Sequence, residues 1–435
     1  MIGIFAAMRL AQQGCSVDLY ESRSHIGGLS DAYTWQGVTW DRFYHVVLST
    51  DERLIALLRE LDLEHELFWR STKTGFYRDG RLVSMSSITD FVTFPFLSLW
   101  QKFRLGLGIL LSARIKNPDK LERMYVREWL TRIFGRRVYE RIWDPLLRSK
   151  FGEARNRTSA SFMWVTINRL YGARTGEAKV EQMGHVRGGY ATILEALRRR
   201  LEDLGVRICA DTRVCCVQQE HPTGLKIVDS TGGVSRRYDQ VLLTTPAPEV
   251  LRLLGRTSSN GPYWEALERV EYLSVLCLFV VLDRRLSSYY VTNLLDTTLP
   301  FTGIVEVTNI VDPAEFGDRH IVYLPKYATR TDPVNSKSDD TVTELFLAGL
   351  RKVFPDLPSE AILHTQLFRE QYVQPLQEVN TPGRNHANRT PLEGVYVANS
   401  TMIHNSTLNN NAAIEVAERA VAVMSEALRT ASARP

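Results

Sequence analysis

The sequence predicts an α/β fold in which a first domain is interrupted by an inserted one. Three observations support this prediction. A helix and a strand at the start of the chain end in an acidic residue at the spacing of a nucleotide-binding unit. A long segment of helical patterns, rich in aromatic residues, separates this unit from further strands. A strand and a long helix close the chain. Together these features indicate a Rossmann-like domain that carries an inserted α+β domain.

The first thirty residues contain the helix and the strand of this unit. Met1–Gln13 has an apolar face and is followed by Gly14, which favours a helix. Cys15–Tyr20 alternates like a strand, and Glu21 follows it, eighteen positions after Gly3. In G-x-G-x-x-G units this is the distance from the third glycine to the acidic residue that binds the ribose hydroxyls. We therefore interpret Gly3 as the third glycine.

This interpretation carries an expectation about the chain before Met1. The first strand of the unit and its first two glycines would precede that residue, and those glycines allow the backbone to approach a pyrophosphate. Half a fingerprint is also compatible with an ordinary βα unit that has a glycine turn.

The pair Gly27-Gly28 makes the pattern specific. Helix, strand, glutamate, a short polar link and two glycines resemble the FAD-binding N-terminus of amine oxidases, protoporphyrinogen oxidases, carotenoid desaturases and UDP-galactopyranose mutases. The resemblance implies an FAD-binding Rossmann-like domain with an inserted α+β substrate domain. It also implies cofactor contacts from a first set of residues: Gly3, Glu21, Ser22, Gly27, Gly28 and Leu29.

Composition argues against several classes of function. A net charge of +4 is too small to indicate nucleic-acid binding. The five cysteines show neither metal-ligand nor disulfide spacing, which favours a reducing cytoplasm. The first residues lack the basic region and cleavage site of a signal peptide, and no run of about 18 apolar residues predicts a spanning helix. We expect a cytoplasmic protein without a metal site.

Basic residues nevertheless cluster locally. We favour solvated helix faces over an anionic-ligand or membrane-surface patch as the explanation. The residues concerned are Arg132, Arg136, Arg137, Arg141, Arg148, Lys150 and Arg198-Arg199-Arg200.

The predicted domains are discontinuous along the chain. Residues 1–66, 185–260 and 375–435 are assigned to the FAD-binding domain. Residues 67–184 and 261–374 are assigned to the substrate-binding domain, as a helical insert and a mixed sheet. His45 follows two short aromatic strands within 31–41, in a stretch that lies near the flavin in the related families. It is therefore a candidate pocket residue or, alternatively, a histidine satisfied in the core.

The helical insert contains an unusually apolar stretch, Phe91–Ile115, in which Gln101, Lys102 and Arg104 break the run. A helix of this kind lies in a membrane interface, with its basic residues at the headgroups, or packs in the core and covers the active-site tunnel. The sequence favours the core interpretation, and peripheral membrane contact through 91–115 is the alternative.

Two later stretches return the chain to the nucleotide domain and then to the substrate sheet. Gly188-Gly189 begins a helix, and the resemblance implies that the backbone of Val214 holds the adenine. A strand is predicted to end at Pro325. Lys326, Tyr327 and Arg330 lie just beyond it, as pocket candidates or as ordinary loop residues.

The closing unit is a strand, Gly394–Ala398, followed by a long helix. A strand end that meets a helix N-terminus suits a phosphate or a flavin pyrimidine, because helix-end amides and the helix dipole favour negative charge. The resemblance implies cofactor contacts here from Asn399, Ser400, Leu408 and Asn409. The related families usually have Gly-Asp where this chain has Asn399-Ser400, which leaves the subfamily open.

The resemblance implies an FAD-dependent oxidoreductase of the amine oxidase and protoporphyrinogen oxidase type. Such an enzyme transfers a hydride from an apolar or amphipathic small molecule to flavin N5, and the aromatic insert motivates this choice of substrate. A mutase-like enzyme that acts on a nucleotide sugar is the first alternative, with Arg330 and Arg369 as the diphosphate contacts. A truncated, non-catalytic subunit with the same fold is the second. The oligomeric state stays open.

Overall fold

The computed structural model describes residues 1–116, 118–172, 174–175, 180–220, 224–229, 234–255, 261–379, 388–404 and 406–432. The predicted domain boundary at residue 260 lies outside the described residues.

The helices in chain order are α1 Ile2–Gln12, α2 Glu52–Glu60, α3 Ile88–Thr93, α4 Leu99–Ala113, α5 Asp119–Glu122, α6 Val126–Phe134, α7 Arg136–Val138, α8 Asp144–Phe151, α9 Ala160–Gly172, α10 Gly189–Asp203, α11 Ala247–Leu253, α12 Pro262–Glu268, α13 Asp339–Val353 and α14 Asn410–Ser432.

The strands in chain order are β1 Asp18–Tyr20, β2 Ala32–Trp35, β3 Val38–Asp41, β4 Leu67–Ser71, β5 Thr74–Arg78, β6 Arg81–Ser84, β7 Arg174–Thr175, β8 Val180–Val186, β9 Arg207–Cys209, β10 Val214–Glu220, β11 Gly224–Asp229, β12 Val234–Tyr238, β13 Val241–Leu243, β14 Tyr272–Leu282, β15 Val291–Leu294, β16 Gly303–Glu306, β17 His320–Ala328, β18 Ile362–Pro375 and β19 Val395–Val397.

The predicted helix–strand unit is present at the start of the chain. Helix α1 buries Phe5 and Met8 in a core that it shares with α10 and α14, and Gly14 follows it at φ +85°. Strand β1 pairs in parallel with β9, and β13 pairs in parallel with β19. Parallel pairs with helices packed against them are the elements of an α/β domain, as the sequence predicts.

A seven-stranded sheet forms the other half of the molecule, in the order β18-β14-β17-β16-β15-β5-β6. Strand β14, the second in this order, is buried along its whole length, in agreement with its almost entirely apolar sequence. The hairpin predicted around Asp79-Gly80 supplies β5 and β6. Strand β5 pairs in parallel with β15, so this sheet combines two strands from residues 74–84 with five strands from residues 272–375.

The predicted strand end at Pro325 is wrong, because β17 continues to Ala328. Proline lacks the N–H that a strand donates, yet it does not interrupt the pairing here. Here the Pro325 carbonyl accepts a hydrogen bond of 2.7 Å from the Thr302 amide, and Ala328 still pairs with Ser274 of β14. Lys326 and Tyr327 therefore lie on the strand.

The apolar stretch 91–115 forms two helices with a break between them. Thr93 ends α3, Pro95 lies in the break, and the Ser98 side chain caps α4 by accepting a hydrogen bond from Gln101 N. The inner face of α4 packs so closely against α6 that a side chain at Gly108 would overlap the Phe134 ring.

The outer face of α4 is exposed, so the core interpretation is wrong for this face. Leu99 and Trp100 are 74% and 67% exposed, and the Trp100 and Phe103 rings stack on each other at the surface. Leu107, Leu110 and Leu111 continue the same face, since they follow at helical spacing and are also exposed. Among the described helices, none is long and apolar enough to cross a membrane.

Candidate functional site

The loop that follows β1 brings three predicted cofactor residues together. The Glu21 amide donates to Cys209 O at 3.0 Å, and Glu21 O accepts from Thr212 N at 2.8 Å, so the loop before Val214 lies beside Glu21. The Glu21 carboxylate accepts hydrogen bonds from Arg23 N at 2.9 Å and from the Ser22 hydroxyl at 3.2 Å.

The beginning of α1 is close to this carboxylate. The Glu21 carboxylate lies close enough to the Met1 nitrogen to interact with it electrostatically. Helix α1 has no side-chain cap, and the first amides of a helix have no partner within it. A Cβ atom at Gly3 would lie 3.0 Å from Thr244 Oγ1, at the end of β13.

The glycine turn is the second part of the site. Gly27 has a φ of +156°, and a Cβ there would lie 2.8 Å from Leu194 Cδ1 and 3.3 Å from Asp31 Cα. The turn therefore requires glycine both for its backbone and for its close packing. Gly28, Leu29 and Ser30 follow as a 3₁₀ turn, and the Ser30 hydroxyl donates to Asn410 Oδ1 at 3.1 Å, at the start of α14.

An ionic network fastens this turn to the seven-stranded sheet. The buried Asp31 carboxylate lies 3.4 Å from the Arg42 guanidinium, which in turn contacts Glu370 of β18 at 3.1 Å. Arg23 forms ion pairs with the same two carboxylates. His25 Nε2 lies 2.6 Å from Asp31 Oδ1. The network holds the loop after β1 against both halves of the molecule.

Asn399 is buried where β19 ends. Its Nδ2 donates to Thr245 O at 2.9 Å, and its Oδ1 accepts from Thr401 N at 3.1 Å and from the Thr401 hydroxyl at 2.6 Å. The Asn399 side chain thus joins the ends of β13 and β19 and caps the turn that contains Ser400. Beside it, Thr245 Oγ1 is buried without a hydrogen-bond partner in the described part of the chain.

Asn409 caps α14, because its Oδ1 accepts from Ala412 N at 2.9 Å. Its Nδ2 donates to Thr407 O at 2.7 Å. Asn411 caps α2 by accepting from Arg53 N at 2.9 Å. Both asparagine side chains are therefore engaged within the protein, and the predicted cofactor contact of Asn409 falls to its backbone. Leu408 packs beside Leu29 on one apolar cluster.

These residues fit an FAD molecule. The beginnings of α1 and α14 suit a pyrophosphate, and the Glu21 carboxylate at the strand end suits ribose hydroxyls. The unpartnered Thr245 hydroxyl gives the site a free polar group among the described residues. The contacts of individual residues with the cofactor stay predictions.

The structure places His45 against the start of α10. Its Nδ1 lies 3.4 Å from Asp41 Oδ2, and its ring packs on Tyr190 with 4.7 Å between the centroids. Asp41 Oδ1 accepts a hydrogen bond of 2.7 Å from Tyr190 N and so caps α10. His45 is mostly buried and supports this cap, and its contact with a substrate stays a prediction.

The other pocket candidates lie in three different environments. The Tyr327 hydroxyl is hydrogen-bonded to the Tyr44 hydroxyl at 3.1 Å. Lys326 Nζ lies 3.9 Å from Asp332. Arg330 is exposed on the loop after β17. The structure brings Tyr327, but not Arg330, to the interior between the sheet and the helical insert.

Arg369, the second arginine proposed for a mutase, is bound to a neighbouring loop. Its guanidinium donates to Asp339 at 2.6 Å and to Lys337 O at 2.8 Å. With Arg330 exposed, neither arginine is placed to contact a diphosphate beside Tyr327.

Two residues near Tyr327 were not predicted as site residues. Tyr44 precedes His45 and had no signal of its own. Lys150 was assigned to solvated helix faces, yet it lies over the rings of Tyr327 and Phe162. The sequence did contain a signal for Lys150. It follows Leu146 and Leu147 at helical spacing, so it belongs to the apolar face of α8 rather than to a solvated face.

Comparisons with known proteins agree with this fold. A family model described as flavin containing amine oxidoreductase matches residues 2–424. The 15-cis-phytoene desaturase of Synechococcus elongatus is 22% identical over 388 residues, which cover 82% of this chain and 78% of the relative.

Two solved structures share the fold. An oxidoreductase from Methanosarcina mazei superposes with a TM-score of 0.72 at 18% identity, and the match covers 98% of both chains. A reduced UDP-galactopyranose mutase superposes with a TM-score of 0.72 at 16% identity, over 97% of this chain and 93% of the mutase. At these identities the likeness concerns the fold alone. The family match over nearly the whole sequence shows that the chain belongs to the flavin-containing amine oxidoreductases, and the protein is an FAD-dependent oxidoreductase of that family.

Proposed function

We propose that the protein oxidises an apolar or amphipathic small molecule by hydride transfer to FAD. The observation that supports this most is the composition of the wall beside the predicted flavin contacts. Leu29 and Leu408 pack against the same apolar cluster as Tyr44 and as Tyr327 of β17. A wall of this kind suits an apolar substrate, because it offers few groups that would have to give up hydrogen bonds to water.

Bound FAD supplies the two-electron acceptor. The chain positions the substrate and excludes water. Tyr327 belongs both to this cluster and to the core of the helical insert, so it connects the cofactor side with the substrate side. The Tyr44 and Tyr327 hydroxyls satisfy each other, and burial raises the pKa of both phenols. At neutral pH they therefore present an uncharged surface.

An anaerobic reduction experiment tests this proposal. Purified protein loaded with FAD is mixed with a polyene hydrocarbon in detergent, with a porphyrinogen, or with a polar diamine as a control. Loss of the flavin absorption band is followed in each case. We expect an apolar compound to bleach the flavin and the diamine to leave it unchanged.

Other outcomes separate the alternatives. Bleaching by the diamine alone would refute the apolar substrate. Turnover of a nucleotide sugar that requires reduced flavin and consumes no electron acceptor would favour the mutase-like function. Protein that binds FAD and is reduced by no compound of these classes would favour a non-catalytic subunit.

We further propose that the protein contacts a membrane peripherally through residues 91–115, where an apolar substrate would be dissolved. The exposed face of α4 carries Trp100 and Phe103, and the exposed Arg114 and Lys116 follow at its C-terminal end. An apolar helix face next to basic residues is typical of helices that lie in an anionic membrane interface.

Vesicle flotation tests the membrane contact. We expect binding to vesicles that contain phosphatidylglycerol, and loss of binding when Leu99, Trp100 and Phe103 are all changed to Ser. A matched control changes Leu345 and Leu363 to Ser, since both are exposed leucines outside α4. Equal binding of the two variants would contradict the assignment to α4.

A further inference from the structure

Lys150 projects from the apolar face of α8 into the junction between the helical insert and the sheet. Its Nζ lies 4.8 Å from the centroid of the Tyr327 ring, 5.1 Å from that of Phe162 and 5.9 Å from that of Phe151. These rings come from β17, α9 and α8. An ammonium over aromatic faces is attracted by the negative charge of the rings, but such contacts do not neutralise it.

No carboxylate of the described residues compensates this charge. Within the part of the chain that the structure describes, no carboxylate lies within 4.0 Å of Lys150, and its ammonium has no hydrogen bond there. The Tyr327 ring lies against Lys150, and the Tyr44 hydroxyl is hydrogen-bonded to that of Tyr327. Burial raises the pKa of both phenols, so they supply no negative charge at neutral pH. Buried charges in proteins are usually paired. Lys150 is therefore a charge that no carboxylate of the described residues neutralises.

Lys150 is largely surrounded by protein, yet its side chain remains partly accessible to solvent. Burial lowers the pKa of Lys150 to about 8. Lys150, Tyr327 and Tyr44 nevertheless each keep accessible surface, and the two tyrosines pack against the same apolar cluster as Leu29 and Leu408.

The backbone before Lys150 is also unusual. Between α7 and α8 the helix makes a π-helical turn, Tyr139–Trp143. Turns of this kind are rare and often occur at functional sites, because they shift the register of the helix that follows. Here the helix that follows carries Lys150.

We propose that the Lys150 ammonium binds the carboxylate of an amphipathic substrate whose apolar part packs on the surrounding aromatic rings. The proposal rests on the proposed function and narrows its substrate class to carboxylate-bearing apolar molecules. The substrate carboxylate pairs with Nζ, and the rest of the molecule extends along the apolar wall toward the predicted flavin position.

Calorimetry with the FAD-loaded protein tests the carboxylate subsite without turnover. The probes are decanoate and the matched uncharged decanamide. We expect decanoate to bind more tightly than decanamide. We expect Lys150→Met to weaken decanoate binding by roughly 10- to 100-fold, as for a hydrogen bond to a charged group, with decanamide unaffected. Lys352→Met is the control, because Lys352 is an exposed lysine that pairs with Asp296.

Proton uptake is a second readout. At pH 8 a group with a pKa of about 8 is half protonated, so pairing with a carboxylate should take up at most about half a proton per decanoate. Titrations in two buffers of different ionisation enthalpy measure this uptake, and Lys150→Met should abolish it. Removal of a buried charge should not lower the thermal stability of the variant.

Three results would overturn the proposal: no decanoate binding, equal affinity for decanoate and decanamide, or unchanged decanoate affinity in Lys150→Met. Each can occur in protein that carries FAD and oxidises an apolar compound, in which case the proposed function survives. Failure of flavin reduction with every apolar compound would leave the calorimetric result standing, so the two failures are distinguishable.

Discussion

Charged side chains in the interior have different partners in the two halves of the molecule. Near the glycine turn, the buried Asp31 carboxylate has close side-chain partners, with the Arg42 guanidinium at 3.4 Å and the His25 ring at 2.6 Å. In the other half, which is predicted to bind the substrate, Glu306 is buried, Lys150 is half-buried, and neither has an ion pair among the described residues. The cofactor half therefore holds its buried charge in ion pairs, whereas the substrate half contains two groups, Lys150 and Glu306, whose pKa values lie near neutral pH. The following experiments test this contrast.

The largest effect is expected at the glycine turn. Gly27→Ala should lower the free energy of unfolding by about 2–4 kcal/mol and reduce FAD retention, because the Cβ adds steric overlap to a strained φ. Gly14→Ala is the control, since Gly14 has a positive φ but open space around it, and should cost about 1 kcal/mol. Chemical unfolding measures both. Equal losses would show that the close packing of the turn is unimportant.

The second effect is a pH dependence that arises in the substrate half. Glu306 accepts hydrogen bonds from Leu286 N and Ser287 N, yet burial raises its pKa from 4.5 to about 7. A carboxyl whose folded pKa is raised contributes stability that is complete below the unfolded value. That stability is lost as the pH rises through about 7.

The free energy of unfolding should fall by about 3 kcal/mol as the pH rises from 4.5 to about 7. Unfolding at pH 5 and pH 8 should reveal it, and Glu306→Gln should reduce the difference. Glu360→Gln, at an exposed glutamate, should retain it. An unchanged difference in Glu306→Gln would assign the pH dependence to other groups.

The third effect concerns the cofactor alone. Glu21→Ala should weaken FAD binding by roughly 1.5–3 kcal/mol through lost hydrogen bonds to the ribose, as expected for bonds that involve a charged group. Glu393→Ala, at an exposed glutamate, should leave the affinity unchanged. Reconstitution of the apoprotein with FAD provides the measurement. Full affinity in Glu21→Ala would refute the assignment of Glu21 to the ribose.

The smallest effect is expected at His45, which lies beside the cap of α10. His45→Ala should lower the free energy of unfolding by about 1 kcal/mol, because the ring packs on Tyr190. If His45 also lines the substrate side, turnover falls while FAD content stays constant. His65→Ala, at an exposed histidine, is the control. A loss of FAD without a change in turnover per flavin would place His45 on the cofactor side.

The cofactor half and the substrate half also differ in how much of each the sequence could predict. The cofactor half depends on spacing within short segments, such as the eighteen positions from Gly3 to Glu21 and the glycines at 27 and 28. These distances are visible in the chain, because one strand and one turn set them. The FAD-binding family and the fold class were predicted from them and are confirmed.

The substrate half depends on contacts between distant segments. Tyr44 meets Tyr327 across 283 positions, and Lys150 meets Phe162 and Tyr327 from three different elements. No pattern within one segment of the sequence indicates contacts between residues that are so far apart in the chain. The outer face of α4 was mistaken for core for a related reason: an apolar residue has the same sequence signature whether protein or another apolar phase covers it.

The parallel pairing of β5 with β15 also constrains how the chain folds. Thr74 pairs with Val291, more than two hundred positions later, and the whole helical insert lies between these two strands. The sheet is therefore completed only after most of the chain has been synthesised, and closing so long a loop carries an entropic cost that slows folding. Until β15 arrives, one edge of β5 lacks its native partner, so the nascent chain is most prone to aggregation during that interval.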